Sequence, residues 1–294
     1  MKIIAALIVL GLIAFTATTT WVRRHPLEAF VKMTRRGLLR AGMTRRTIEV
    51  DGNRVIYFAG GSGDRTIVLV HGVNDQAGSW VSVVPPLMND SRVIAIDLPG
   101  HGESAPATGP LPISLMVKAL QTVIDRESPG KPVVLVGNSM GGWVSMLYAA
   151  DHQARLSRLV LEDASGMTWD LSHVPFYPKN RDEALKLLRL VHGPDAPIAD
   201  YLVDAMLHSA ASMPQTRVLR AGAVFAVVDP RLHDITMPVT MIWGAHDGLL
   251  PLAYADALHK HLSGSTLHII DNAAHIPHRQ APAEFTRLLR EALP

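Results

Sequence analysis

The chain contains no cysteine. Disulfides, thiolate metal sites and cysteine nucleophiles are therefore excluded, and that absence fits any compartment. A bulk excess of charge is missing too: the net charge is only +2 over 294 residues, which gives no nucleic-acid signal. Internal repeats and low-complexity tracts are absent. With 48% hydrophobic and 18% charged residues the chain is too apolar to be disordered. Its length accommodates one large α/β domain with a sizeable insertion. The glycine cluster Gly60-Gly61-Ser62-Gly63 leads into a strand pattern rather than a helix, so it is a poor phosphate cradle. Neither a cofactor nor a metal is expected.

What charge there is lies unevenly. Arg23, Arg24, Lys32, Arg35, Arg36, Arg40, Arg45 and Arg46 crowd together behind an uncharged run, Ile3 to Val22. That run has the length of a bilayer-spanning helix, and Trp21 followed by Arg23-Arg24 suits its interfacial end. The rival is a cleaved signal peptide. No clean small-x-small site precedes a polar start, so residues 1–22 are read as an uncleaved single-pass membrane anchor. The side of the membrane stays open, although the basic residues after the span favour a cytoplasmic domain. Residues 23–45 read as a basic juxtamembrane segment. Within it His25 to Gly42 is either an amphipathic helix on anionic headgroups or a solvated linker helix.

The pattern changes at Thr47. Residues 47–50 and 54–58 flank Asp51-Gly52-Asn53, a hairpin signal. Buried-strand runs follow at 66–70, 92–96, 133–136, 159–161, 239–243 and 266–270. Helical patterns lie between them at 115–126, 141–150, 252–261 and 284–293. Such alternation predicts an α/β fold, a mostly parallel sheet flanked by helices, with ligands at the carboxyl ends of the strands.

One of those ends carries Gly137-Asn138-Ser139-Met140-Gly141. Gly-x-Ser-x-Gly arises by chance in about one chain in ten of this length, at ~7% usage per residue. Its placement between a strand pattern and a helix pattern is what makes it informative. A strained strand-to-helix turn exposes the serine hydroxyl, and side chains at 137 or 141 would collide with the neighbouring helix or strand. A serine hydroxyl is a feeble nucleophile without a base. Asp247 and His275, each just past a later strand, supply an acid and a base in the required chain order. Asp163, at the end of an earlier strand, is the rival acid. The backbone N–H groups of Val73 and Met140 are the candidate oxyanion hole, and His71 is read as a structural hydrogen-bonder.

With these motifs in place, together with the run Asp97-Leu98-Pro99-Gly100-His101-Gly102-Glu103-Ser104, the chain from about Arg46 onward resembles the α/β-hydrolase superfamily. The resemblance implies the strand order, a Ser139–Asp247–His275 triad, an acyl-enzyme route, and a helical cap at 165–229 inserted into a core of 46–164 and 230–294. Helical pieces at 181–192 and 198–211, punctuated by prolines, fit such a cap. Asn74, Trp143, Met167, Trp169, Phe176, Met206 and Ile276 are candidate substrate-pocket residues, and Leu202, Met213 and Phe225 add to the apolar inventory of the cap.

The N-terminal run and the Gly-Asn-Ser-Met-Gly-Gly elbow look like membrane-anchored monoacylglycerol lipases and related bacterial lipases. The expected activity is therefore hydrolysis of acylglycerols or similar lipid esters. The elbow is also similar to that of hydrolases cleaving carbon–carbon bonds in ring-fission products. Those typically have a glycine-rich oxyanion loop and a Trp after the catalytic His, where this chain has His71-Gly72-Val73-Asn74-Asp75 and Ile276. A cofactor-free haloperoxidase would use the same triad. A non-enzymatic binding member would gain nothing from a serine held in a strained turn.

Overall fold

The computed structural model describes residues 19–222 and 226–293. Most of the expected membrane span, residues 1–18, and Phe225 lie outside them. Among the described residues no helix is long and apolar enough to cross a membrane.

Eight strands form one sheet: β1 (Thr44–Val50), β2 (Asn53–Gly60), β3 (Arg65–Val70), β4 (Ser91–Ile96), β5 (Val133–Asn138), β6 (Leu156–Glu162), β7 (Val239–Gly244) and β8 (Thr266–Ile270). Their spatial order is β1-β2-β4-β3-β5-β6-β7-β8. β1 and β2 form the expected hairpin, turning through Asp51 and Gly52, both at positive φ, as a tight hairpin turn requires. β2 meets β4 antiparallel, and every later pairing is parallel. The parallel strands are apolar throughout because both faces are covered. Val68, Val70, Val133 and Leu135 enter one core, and Ile67, Leu69, Val134 and Val136 enter the other. The first core is shared with α2 (Ile113–Glu127), α3 (Met140–Asp151) and α7 (Leu252–His261). The second lies against α1 (Pro26–Arg40) and α8 (Pro282–Ala292).

Between β6 and β7 the chain leaves the sheet and forms α4 (Arg181–His192), α5 (Asp200–Ser209) and α6 (Pro214–Arg220). The sequence pattern marks the first two but not α6, where Pro214 reads as a breaker. In the fold Pro214 occupies the first turn, the position where its missing N–H costs nothing.

The reading of 23–45 as a juxtamembrane segment, its helix either on headgroups or a solvated linker, needs correction. α1 is docked on the core through Thr34, Arg35 and Leu38, all buried. Arg35 pairs with Asp97 and with Glu103 at 2.5 Å and donates to Gln76 at 3.1 Å. Arg45 pairs with Glu103 at 2.7 Å, and Arg46 with Glu127 at 2.8 Å. Three of the basic residues that looked like a membrane signal thus neutralise carboxylates of the domain. β1 also begins at Thr44, inside the segment assigned to the linker.

Candidate active site

The elbow is built as the glycines demand. Ser139 sits at φ 51, ψ −120 between β5 and α3. This is a backbone region that costs free energy and persists only where surroundings enforce it. A Cβ on Gly137 would lie 2.5 Å from the Gly141 carbonyl, and one on Gly141 would lie 2.3 Å from the Val70 carbonyl. The turn is therefore pressed between its own helix and β3. The Ser165 N–H donates to the Ser139 carbonyl at 3.0 Å, tying the start of the cap to the elbow.

Two distant chain segments converge on Ser139. His275 Nε2 lies 2.8 Å from Ser139 Oγ, and His275 Nδ1 lies 2.8 Å from Asp247 Oδ2. All three residues are buried. Asp247 is held in turn, its Oδ1 accepting the N–H groups of Leu249 at 2.8 Å and Leu250 at 2.9 Å. With Nδ1–H directed at the carboxylate, Nε2 carries the lone pair that faces the hydroxyl, the arrangement needed to take up its proton.

Two supports of this array were not visible in the sequence. The carbonyls of Leu190 and Val191, in the last turn of α4, accept the N–H groups of Gly248 and His275, each at 3.1 Å. One helix of the β6–β7 insertion thus braces both the Asp247 loop and the His275 loop. Asn138 donates to the His275 carbonyl at 3.1 Å from the other side. No residue type or spacing signals a contact made by main-chain carbonyls.

Asp163, the rival acid, is fully buried beside Asp247. It does not meet His275 through Nδ1; Asp247 does. Asp163, Asp247 and His275 each place one polar atom within 4.8 Å of the others, close enough to gather round a cation. A cation bound there through Nδ1 would displace the Nδ1–H that orients the imidazole, so ligation and proton transfer compete for the same atom.

His71 is a structural residue. Its Nδ1–H donates to the Gly72 carbonyl at 2.7 Å, and its Nε2 accepts the Leu98 N–H at 3.0 Å. Burial holds its pKa below the ordinary histidine value. It ties the loop after β3 to the loop after β4. Gly72 passes so close to the elbow that a Cβ would stand 3.1 Å from Ser139 Cβ.

Ser139 opens onto a cavity of about 550 Å³. Val73 and Met140 line it together with Ser139, as do Trp143, Met167, Trp169 and Phe176. Three of the expected pocket residues lie elsewhere. Met206 packs within the cap against the small cluster of Ala184, Leu188 and Val203, because α5 turns that face toward α4 rather than the core. Ile276 is buried at the start of a short helix, Pro277–Gln280. Asn74 bonds to Gln215 of α6, and Gln215 is the residue of that pair that lines the cavity. Polar Gln215 and small Ser165 went unnoticed because an apolar inventory of the cap passes over them.

A sequence model described as the alpha/beta hydrolase family matches residues 67–288. An uncharacterized Mycobacterium tuberculosis protein is 30% identical over 268 residues, spanning 80% of this chain and 77% of that one. Human monoacylglycerol lipase ABHD6 is 24% identical over 280 residues, spanning 86% of this chain and 82% of that one. Among solved structures, a membrane phospholipase A described as a bacterial virulence factor superposes with a TM-score of 0.77 at 24% identity, covering 98% of this chain and 97% of that one. Sheet order, elbow and family match agree, and this chain belongs to the alpha/beta hydrolase family.

Proposed function

We propose that this hydrolase is a serine carboxylic ester hydrolase that acts on acylglycerols or similar neutral lipid esters through an acyl-enzyme. The observation that carries the reading is the continuous hydrogen-bonded series Ser139–His275–Asp247 at the edge of an apolar cavity. His275 takes the Ser139 proton as Oγ adds to the ester carbonyl, and Asp247 stabilises the imidazolium. The oxyanion faces the N–H groups of Val73 and Met140, both on the cavity wall. Met140 is the first residue of α3, whose N–H has no partner within the helix, and the helix N-terminus adds a favourable field. His275 returns the proton to the departing alcohol, and water repeats the sequence on the acyl-enzyme.

The cavity wall favours a neutral substrate. Among the described residues that line it there is no Lys, Arg, His, Asp or Glu. A ring-fission acid would bury its carboxylate there without a cation, at a large desolvation cost. A fatty acyl chain needs only apolar contact, worth about 0.8 kcal/mol per buried methylene. Human ABHD6, a monoacylglycerol lipase by name, supports the same substrate class.

We further propose that the chain is held at a membrane through its N-terminal apolar run. Ile3 to Val22 carries no charge; Trp21 and Val22 at its end and Leu27 and Met33 behind it are exposed. The test of the activity is Ser139→Ala, which is expected to abolish hydrolysis of p-nitrophenyl esters and monoacylglycerols while the protein stays folded. Persistent activity in a folded variant refutes the mechanism. For the anchor, the full chain is expected in the membrane fraction after alkaline wash, and a chain starting at Pro26 in the soluble fraction.

A further inference from the structure

The triad holds one carboxyl more than its chemistry uses. Asp163 follows β6 at φ 41, a positive value unusual for a residue with a side chain, and is completely buried. Its main chain is fixed by the Asp163 N–H donating to the Ile242 carbonyl at 3.2 Å. Its Oδ1 accepts the Gly244 N–H at 3.1 Å. Its Oδ2 is also buried and finds no donor among the described residues, while an oxygen of the Asp247 carboxylate lies within 4.8 Å of one of Asp163. Asp247 already accepts three hydrogens, from Leu249, Leu250 and His275.

Two buried carboxylates this close cannot both stay ionised, since like charges at that range repel strongly in a medium that screens them poorly. One proton shared between them converts the repulsion into a hydrogen bond. Asp247 has the donors that stabilise an anion, and Asp163 has only one. The proton therefore belongs to Asp163.

We infer that Asp163 is a neutral carboxylic acid whose O–H donates to the Asp247 carboxylate, and that it is a positioning residue of the triad. The inference rests on the serine-hydrolase reading and extends it. Burial, and then the charge of Asp247, push the Asp163 carboxyl well above the usual aspartate range. The other ionisable groups around it are Glu162 of β6, whose carboxylate is engaged by the Nδ1 and N–H of His278, and His275 beyond Asp247. Neither supplies Asp163 with a cation contact to hold it ionised. The added donor fills a remaining lone pair of Asp247, holds its plane against His275, and moderates how strongly the carboxylate supports the imidazolium.

Three variants and one spectrum test this. Infrared difference spectra of wild type against Asp163→Asn, at about pH 8 and so far above the ordinary aspartate value near 3.9, are expected to show the carbonyl stretch of a protonated carboxylic acid. That signal does not depend on which ester the enzyme hydrolyses, or on whether it hydrolyses one. In ester hydrolysis, Asp163→Ala is expected to lose about tenfold in kcat, the worth of one hydrogen bond to a charged group. Its acid limb of kcat/KM should move to higher pH, because an unrelieved Asp247 charge makes His275 more basic. Asp163→Asn keeps a neutral donor and should recover most of that loss. If the alanine variant does not fold, the infrared band and the asparagine variant still decide. A wild type without the protonated band overturns the inference, as does Asp163→Asn falling as far as Asp247→Asn. Failure of Ser139→Ala to abolish activity would instead strike the parent reading and leave the infrared result standing.

Discussion

Asn74 and Gln215 exchange two hydrogen bonds across the boundary between core and cap. The Gln215 N–H donates to Asn74 Oδ1 at 2.9 Å, and Asn74 Nδ2 donates to Gln215 Oε1 at 3.1 Å. Asn74 follows Val73 directly and sits at φ 61, which Asn tolerates better than most residues. The position of α6 is thereby transmitted to the loop that carries Val73, whose N–H is proposed to face the oxyanion. Asn74→Ala removes both bonds and is expected to lower kcat about tenfold, with Gln215→Ala about half as damaging on a logarithmic scale, at roughly one bond's worth each. Steady-state kinetics check it, and an effect confined to KM would contradict it.

Asp247 and Asp163 should separate sharply in the same assay. Asp247→Asn is expected to cost about 10⁴ in kcat, because an amide in place of the carboxylate favours the wrong imidazole tautomer. Asp163→Asn should stay orders of magnitude above that. Equal losses would mean that His275 uses both carboxylates.

Arg35 and Asp97 form the buried link that holds α1 on the domain. Breaking a buried pair leaves a charge without its partner, at about 3–5 kcal/mol. Arg35→Ala should lower Tm by about 5–10 °C and open residues 26–40 to limited proteolysis. Scanning calorimetry and a protease time course read the two effects, and an unchanged digestion pattern would show that α1 is held by its apolar face alone.

Acid should destabilise the fold through its buried neutral histidines. Burial lowers the His101 imidazole to about 3, and the neighbouring His71 is lowered by the same cause. Between the His101 value of about 3 and the unfolded value near 6.5 the unfolded chain binds more protons than the native one, so stability rises with pH across that window. It is fully present above about pH 6.5 and drains away as the pH falls toward about 3. Urea unfolding at about pH 7 and about pH 5 should show the loss, reduced in His101→Gln. A flat profile would place these imidazoles nearer solvent than the structure has them.

Much of this was legible in the chain itself. The continuous apolar runs of β3 and β5, the elbow glycines and the order of Ser139, Asp247 and His275 are local patterns or a succession of strand ends. α1 was misread because a basic helix behind an apolar run has the same composition whether its arginines meet phosphates or carboxylates. Asp97, Glu103 and Glu127 are distant in sequence and bear no mark of pairing with it. Met206 was misplaced for a related reason: an apolar residue on a cap helix fits the pocket wall and the cap interior equally well, and only the roll of α5 separates them.

The sequence by itself determined the sheet, the elbow and the identity of the three residues that converge there, because backbone periodicity and turn sterics act over a few residues and leave a trace in each. Tertiary structure alone decided what surrounds them: the α4 carbonyls beneath the acid and base loops, the Asn74–Gln215 link, the docking of α1 and the contact between Asp163 and Asp247. Those depend on how whole elements pack, which brings together groups whose residue types are individually unremarkable.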